Sequence, residues 1–334
     1  MPQHFLLSAA ARTLSIGEVA RLSEEEARRV FQLIRFEANE GQPFCVRCGC
    51  VALNSYKCRP IWKCKACGHQ FSVTSGTIFA DRKLPVRDYL LAIAIFANGA
   101  KGISALQLGR DLCVQYKTAY VLAHKLREAM APQGEMKLDG TIEVDGGYFG
   151  GYVKPENRIE DRKDRRLLEN QSGKKRCVVV MRERGGRTLP FVVSSEDVGV
   201  PVVRAKVEKS AELHADEAAH WNALHAHYQV RRIHHGKAYS ADGACTNQAE
   251  SFFSRMRRSE IGVHHHFSGP YLQAYAEESA WREDNRRASN GRQFQMLVSR
   301  AAQLPVSTRW SRYWQRSKPP AGSMRQESPA HHPE

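Results

Sequence analysis

"TIEVDG", Thr141–Gly146, marks the point where the chain changes from helical to strand patterning. Apolar and polar residues alternate there with a period of two, so Ile142 and Val144 face one side of a strand and Glu143 and Asp145 the other. Asp145 stands at the strand's end. Two further β-rich runs follow, "CVVVM" (Cys177–Met181) and "TLPFVV" (Thr188–Val193), and the Gly-Gly of "ERGGR" between them predicts a hairpin. Next come a helix at about 199–210, a short strand "AELHAD" ending at Asp216, and a helix "EAAHWNALHAHY". A strand "QVRRI", a helix "CTNQAESFFSRMRR" carrying Glu250, and a helix near 270–288 complete the pattern.

Upstream, Pro85 opens a helical region that runs to Met130, and "APQG" (131–134) ends it. A helix at about 103–111, a break near Cys113–Val114 and a longer helix with Lys117, His124, Lys125 and Arg127 have the layout of a helix-turn-helix. In that motif the second helix offers polar and basic side chains to a DNA groove. A small helical bundle joining two domains would look the same. Residues 41–80 hold "CVRC" (Cys45, Cys48) and "CKAC" (Cys64, Cys67), a C-x2-C-x15-C-x2-C spacing. Two such knuckles close a tetrahedral thiolate site for Zn²⁺, which staples a module too small to bury a core. Cys50 and Cys58 break the paired spacing and stay outside the set. Residues 1–40 read as helical, with Ser23 as cap, three acids behind it, and an apolar stripe of Val30, Leu33 and Ile34.

The chain has 334 residues and a net charge of +15, an excess that points to polyanionic partners, nucleic acid first. Its longest apolar run, "YLLAIAIFA" (Tyr89–Ala97), is far short of the roughly 18 residues a spanning helix needs. The start, "MPQHFLLSAAA", has no Lys or Arg ahead of its apolar run, which argues against a secretory signal. A reducing cytoplasm is the expected location, where nine cysteines serve as thiols or metal ligands.

Asp145 and Asp216 end strands, and Glu250 lies on the helix after the last strand. The order of elements suits an α/β, ribonuclease-H-like fold, a mixed sheet with flanking helices. There the first and fourth strands lie side by side and a later helix crosses their ends. Three carboxylates brought together repel and drive one another toward protonation. Two Mg²⁺ ions, or Mn²⁺, remove that cost; one activates the attacking water or hydroxyl and the other stabilises the leaving oxygen. Each acid alone has a plainer reading, since a strand-end Asp often forms a turn and a helix Glu usually faces solvent. Spacing and order leave both open.

The residues around the acids narrow the choice. "EVDGGYFGG" at Asp145, "HADEAAHW" at Asp216 and "TNQAESFFSRMRR" at Glu250 resemble the DDE transposases of bacterial insertion sequences that carry an amino-terminal zinc ribbon. "CKACGHQFSVTSGTIF" is similar to the ribbon of that family and "IGVHHHFSGPYLQAYAEESAWREDNRR" to its carboxy-terminal helical segment, so the likeness spans about residues 25–300. The resemblance implies a metal-dependent DNA transposase that nicks its element's ends and joins the freed 3′-hydroxyl to target DNA. It implies a homo-oligomer on paired DNA ends, in the bacterial cytoplasm and on the nucleoid when DNA-bound, with no membrane partner and no small-molecule substrate. Asp145, Asp216 and Glu250 match the family's catalytic acids. Arg257, seven residues past Glu250 and so on nearly the same helix face, matches a basic position that holds a phosphate near the site.

The parts expected are a helical segment (1–40), the zinc ribbon (41–80), a helical DNA-binding linker (81–134), the catalytic domain (135–300) and a partly disordered tail (301–334). One departure is visible: many of these transposases follow the first Asp with Glu, and this chain has Gly146. The rival readings are a zinc-ribbon DNA-binding regulator that retains the fold without catalysis, and a nuclease of the same fold that hydrolyses without joining. Lesser features have plain roles. "HHH" (264–266) invites a metal reading but suits a loop or helix entry near DNA better, because three successive residues cannot all face one ion. His234 and His235 are candidates for touching substrate, and Trp221 and Trp281 for the core or for stacking on bases. Residues 154–176, with nine Lys or Arg against five acids, form a DNA-facing insertion or a solvated loop.

Overall fold

The computed structural model describes residues 4–56, 58–164, 167–170, 172–233 and 245–315. His234, His235 and the tail beyond residue 315 lie outside the described residues. Two compact units divide the chain, one formed by the residues up to Met130 together with the segment from Asn285, the other by Ala131–Asp284. Among the described residues no helix is long and apolar enough to cross a membrane.

In the first unit, α1 (Ile16–Arg21) precedes α2 (Glu24–Arg35), which starts at a reciprocal capping box between Ser23 and Glu26. The buried face of α2 is Ala27 and Phe31; Leu33, expected in its apolar stripe, is exposed. The helix is rotated because its last turn serves the ribbon. Arg35 donates from its guanidinium to the carbonyls of Val73 and, at 2.6 Å, Ser75. Burial pulls that guanidinium down to about 10. Three short antiparallel strands, β1 (Leu53–Ser55), β2 (Ile61–Cys64) and β3 (Gln70–Ser72), make the ribbon around a core of Phe36, Phe71, Cys45 and Cys64.

Helix α3 (Val86–Asn98) is apolar on nearly every side and buried accordingly. It is followed by α4 (Ala105–Asp111) and α5 (Tyr116–Met130), with Cys113 at φ +52° in the break. Lys117 is exposed at the start of α5, but His124 and Arg127 correct the expectation of a DNA-facing row: both are 1% exposed. The His124 ring stacks on Trp310 with centroids 4.2 Å apart, and the Arg127 guanidinium lies over the Phe96 ring. The cause is packing on the far side of α5 that periodicity within α5 does not reveal.

In the second unit, β4 (Thr141–Phe149), β5 (Arg176–Glu183) and β6 (Thr188–Val193) run antiparallel; α6 (Val200–Lys206) leads to β7 (Glu212–Ala215) and β8 (Gln229–Arg232). The sheet order is β6-β5-β4-β7-β8, with β4, β7 and β8 parallel. The hairpin expected at "ERGGR" joins β5 to β6. Instead of an α-helix, "EAAHWNALHAHY" forms 3-10 turns over Ala219–Ala226. Its two buried anchors, Trp221 and Leu224, are three residues apart, the spacing that a 3-10 helix puts in line.

Helices cover both faces of the sheet. Ile142, Val144, Val179, Met181 and Leu213 pack with Val203 and Trp221 on one face. On the other, Phe149, Val178 and Val180 meet Phe252, Phe253 and Met256 of α7 (Asn247–Ser259) and Leu272 and Ala276 of α8 (Leu272–Asp284). Burial on both faces explains why "CVVVM" is a continuous apolar run. A last helix, α9 (Asn290–Gln303), packs on α2, α3 and α5 of the first unit through a face with Phe294, Leu297 and Val298. The segment expected over 135–300 therefore closes at Asp284.

Candidate active site and zinc ribbon

The Sγ atoms of Cys45, Cys48, Cys64 and Cys67 all lie within 4.8 Å of one another. Cys45 is 3.6 Å from Cys67 and Cys48 is 3.6 Å from Cys64, sulfur to sulfur. Four thiolates about 2.3 Å from a tetrahedral Zn²⁺ stand about 3.8 Å apart, so the four residues fit zinc. Cys50 and Cys58 fall outside the cluster, as the spacing predicted. The Cys64 thiol is pulled down to about 6, chiefly by the backbone N–H of Cys67 that closes its knuckle. A thiolate is the form that binds metal.

The acids gather on the α7 face of the second unit's sheet. Parallel pairing of β4 with β7 sets Glu143 beside His214 and Val144 beside Ala215. The next residues in that register are Asp145 and Asp216; Asp216 follows the end of β7, but Asp145 is mid-strand rather than at the strand end expected, because β4 runs on to Phe149 paired with β5. Glu250 lies in the first turn of α7, the helix laid over that face. Its carboxylate accepts from the Thr246 hydroxyl at 3.4 Å. Burial pushes the Asp145 carboxyl up to about 7 despite a bond from the Gly146 N–H at 2.7 Å, and the charges of Asp216, Glu196 and Glu250 push the same way. The other two expected acids, Asp216 and Glu250, therefore both act on the Asp145 carboxyl. Among the described residues the four cysteines are the one group of three or more ligands whose atoms all lie within 4.8 Å of one another, so Asp145, Asp216 and Glu250 are not drawn together that closely.

The fourth acid, Glu196, was not legible in the sequence. It precedes α6, and its own carboxyl is raised by burial, with His220 at 3.2 Å opposing the shift. Glu196 also accounts for Gly146. A Cβ on residue 146 would come 2.4 Å from the Glu196 Cγ, so the space that a side chain there would take is filled from another part of the chain. Arg257 is exposed, and its guanidinium lies 5.8 Å from the ring centres of Phe149 and of Phe253. His264 packs on Phe267 and Tyr275 at a helix end where His265 is left-handed, in keeping with a structural role for that run. Trp221 and Trp281 are core residues.

Close approach of α7 to the sheet depends on Gly147. A Cβ there would lie 2.6 Å from the Phe253 ring, an aromatic fixed in the core rather than a flexible tip. Gly147→Ala is expected to lower stability by about 1–3 kcal/mol, the usual cost of overpacking, read as a fall in the denaturant midpoint. An unchanged midpoint would mean that α7 is free to move outward.

Two segments of the chain match known families. Residues 137–284 match the ISXO2-like transposase domain family, and residues 22–70 match the transposase zinc-ribbon domain. The chain is also 24% identical to an uncharacterized protein in transposable element ISH50 of Halobacterium salinarum, over 76% of this chain and 90% of that protein. No solved structure matches it. The chain thus carries a transposase zinc-ribbon segment ahead of an ISXO2-like transposase domain, the arrangement its motifs led us to expect of an insertion-sequence transposase.

Proposed function

We propose that this chain is a DNA transposase that cleaves the ends of its element and transfers the freed 3′-hydroxyl strand to target DNA. What carries the reading is the register of β4 with β7, which sets Asp145 beside Asp216, with Glu250 in the first turn of α7 near enough for its charge to act on the Asp145 carboxyl. A cluster so crowded with carboxylates suits hard divalent cations, which take oxygen ligands and relieve the repulsion. Asp145, Asp216 and Glu250 would hold two Mg²⁺, or Mn²⁺. When bound, the ions supply an activated attacking oxygen and a stabilised leaving oxygen.

The chain's own residues do the rest. Asp145 and Asp216 present carboxylates from adjacent strands, and Glu250 closes the group from α7. Arg257, two turns further along α7, steadies a phosphate of the bound strand. The sheet order, with three antiparallel strands and two parallel ones beside the first, supports a ribonuclease-H-like reading of this unit. The ribbon (41–80) and the helices of 81–134 grip the element end, and the +15 net charge favours the DNA backbone. Two or more copies act together on paired ends.

The test is a reaction of the full, zinc-loaded chain with Mg²⁺, labelled DNA bearing the ends that flank its gene, and a plasmid. Labelled end joined to plasmid is the expected result. Cleavage without joining would make the protein a nuclease, and binding with neither reaction would make it a regulator.

A further inference from the structure

Two residues behind the Asp145–Asp216 pair lies a second polar row, Glu143 on β4 and His214 on β7. Glu143 is fully buried. Burying a carboxylate costs several kcal/mol unless its oxygens are bonded, so its partners indicate what it does. One oxygen accepts from the backbone N–H of Gln248 at 2.7 Å and of Ala249 at 3.2 Å. The other accepts from the Arg184 Nε at 2.9 Å. Gln248 and Ala249 belong to the first turn of α7, whose N–H groups have no partner within the helix, and the side chain of Thr246 does not cap it. A carboxylate from the neighbouring strand takes the place of a cap, and the positive end of the helix adds to the attraction.

Arg184 extends the grip to the chain just ahead of α7. Its Nη2 donates to the carbonyl of Cys245 at 3.1 Å and approaches the His214 Nδ1 at 3.0 Å. That Nδ1 accepts from the Cys245 N–H at 3.1 Å, which leaves the other ring nitrogen to carry the proton toward Glu212, 2.9 Å away.

From this geometry we infer that Glu143 is a positioning residue, which with Arg184 sets the height and rotation of α7 so that Glu250 faces Asp145 and Asp216. This role rests on reading those acids as the metal ligands. The placement is specific. On β4, Glu143 is two residues before Asp145 and on the same face; on α7, its partners Gln248 and Ala249 immediately precede Glu250. Three residues past Glu250, the Gly147–Phe253 contact fixes the distance between helix and strand. Glu250 is thus bracketed by two anchors on the strand that carries Asp145. Each helical residue adds about 1.5 Å of rise and about 100° of turn, so a slip of one residue at the first anchor would swing Glu250 away.

Glu143→Gln tests this, because an amide cannot accept from both α7 and Arg184. If its oxygen faces α7, its NH₂ meets the guanidinium donors, and the reverse turn sets NH₂ against the α7 N–H groups. The double variant Glu143→Gln/Arg184→Gln restores a donor–acceptor match. In the full, zinc-loaded chain, amide exchange at Gln248 and Ala249 should be about tenfold faster in the single variant. Binding of Mn²⁺ that is lost in Asp145→Asn should be about tenfold weaker, as for other residues that orient metal ligands. Zinc content and element-end binding should not change, and the double variant should recover part of both losses. Wild-type Mn²⁺ binding, or wild-type exchange at those amides, in Glu143→Gln would overturn the positioning role alone. Equal Mn²⁺ binding by wild type and Asp145→Asn would overturn the metal reading, and this role with it. If Glu143→Gln does not fold, the double variant and Glu143→Asp carry the test: Mn²⁺ binding equal to wild type in Glu143→Asp, whose shorter side chain cannot span both partners, overturns the role.

Discussion

Asp145→Asn is expected to abolish cleavage of element-end DNA and, in the same protein, to raise the melting temperature of the metal-free form. The opposite signs come from one cause. In the fold the Asp145 carboxyl titrates at about 7 instead of the ordinary 3.8, chiefly because it is buried, with three other carboxylates adding to the shift. An acid whose folded value is raised binds its proton more tightly in the folded chain, so folding is penalised once the unfolded chain ionises. The penalty is absent below the ordinary value, grows as pH rises through the window to about 7, and is constant above it. At about 1.4 kcal/mol per pH unit of that window, its ceiling is about 4 kcal/mol. Asn keeps the shape and an acceptor for the Gly146 N–H and removes the charge. At pH 8 the variant should therefore melt several degrees above wild type, and at pH 4 the two should converge. Added Mg²⁺ should raise the wild-type melting point and leave the variant unmoved. A structural Asp would behave otherwise, losing stability on replacement. A variant that still cleaves, or that melts lower at pH 8, would remove Asp145 from the site.

How far the site could be read in advance depended on the reach of each signal. Alternation in "TIEVDG" is local, and it correctly put Ile142 and Val144 in the core and Asp145 on the opposite face. The spacing of four cysteines is nearly local, and the ribbon closes as the spacing required. Glu143 is different. It shares Asp145's face, but its partners on α7 are more than 100 residues away, and nothing near it in the sequence marks it as a cap for that helix. Glu196 likewise meets Asp145 only through the return of the chain after β6. Residues on α5 failed for the same reason: His124 and Arg127 are polar by type, and only packing against Trp310 and Phe96 turns them inward. Local periodicity reports which face of an element is apolar. It does not report which polar residue on the other face is held by a distant partner and which is left for chemistry.

Removal of zinc should produce the other large effect, confined to the ribbon. Its strands are only three or four residues long, and its fully buried apolar side chains are few, Phe36 and Phe71 besides the two inner cysteines. Such a core is too small to offset the conformational entropy of ordering the segment, whereas a structural zinc contributes on the order of 10–16 kcal/mol in apparent binding. Cys64→Ser should release the metal, because Cys64 lies in the innermost strand and its thiolate is the form favoured by its own knuckle. Backbone amides between Cys45 and Ser72 should then lose protection from exchange, while those of β4 and β5, buried on both faces of another sheet, keep theirs. Cys48→Ser should act as Cys64→Ser does. Cys58→Ser should change nothing, since Cys58 is exposed and outside the cluster. Zinc measured at one per chain in wild type and Cys58→Ser but absent from Cys64→Ser fits a single four-thiolate site. Full zinc content in Cys64→Ser would mean that the metal is held elsewhere, and protection retained without zinc would mean that the Phe36–Phe71 core suffices alone. Element-end binding should fall with the ribbon, and joining of a pre-cleaved end to plasmid at saturating DNA, the step proposed for Asp145, Asp216 and Glu250, should fall far less. That contrast separates the residues that find the DNA from those that act on it chemically.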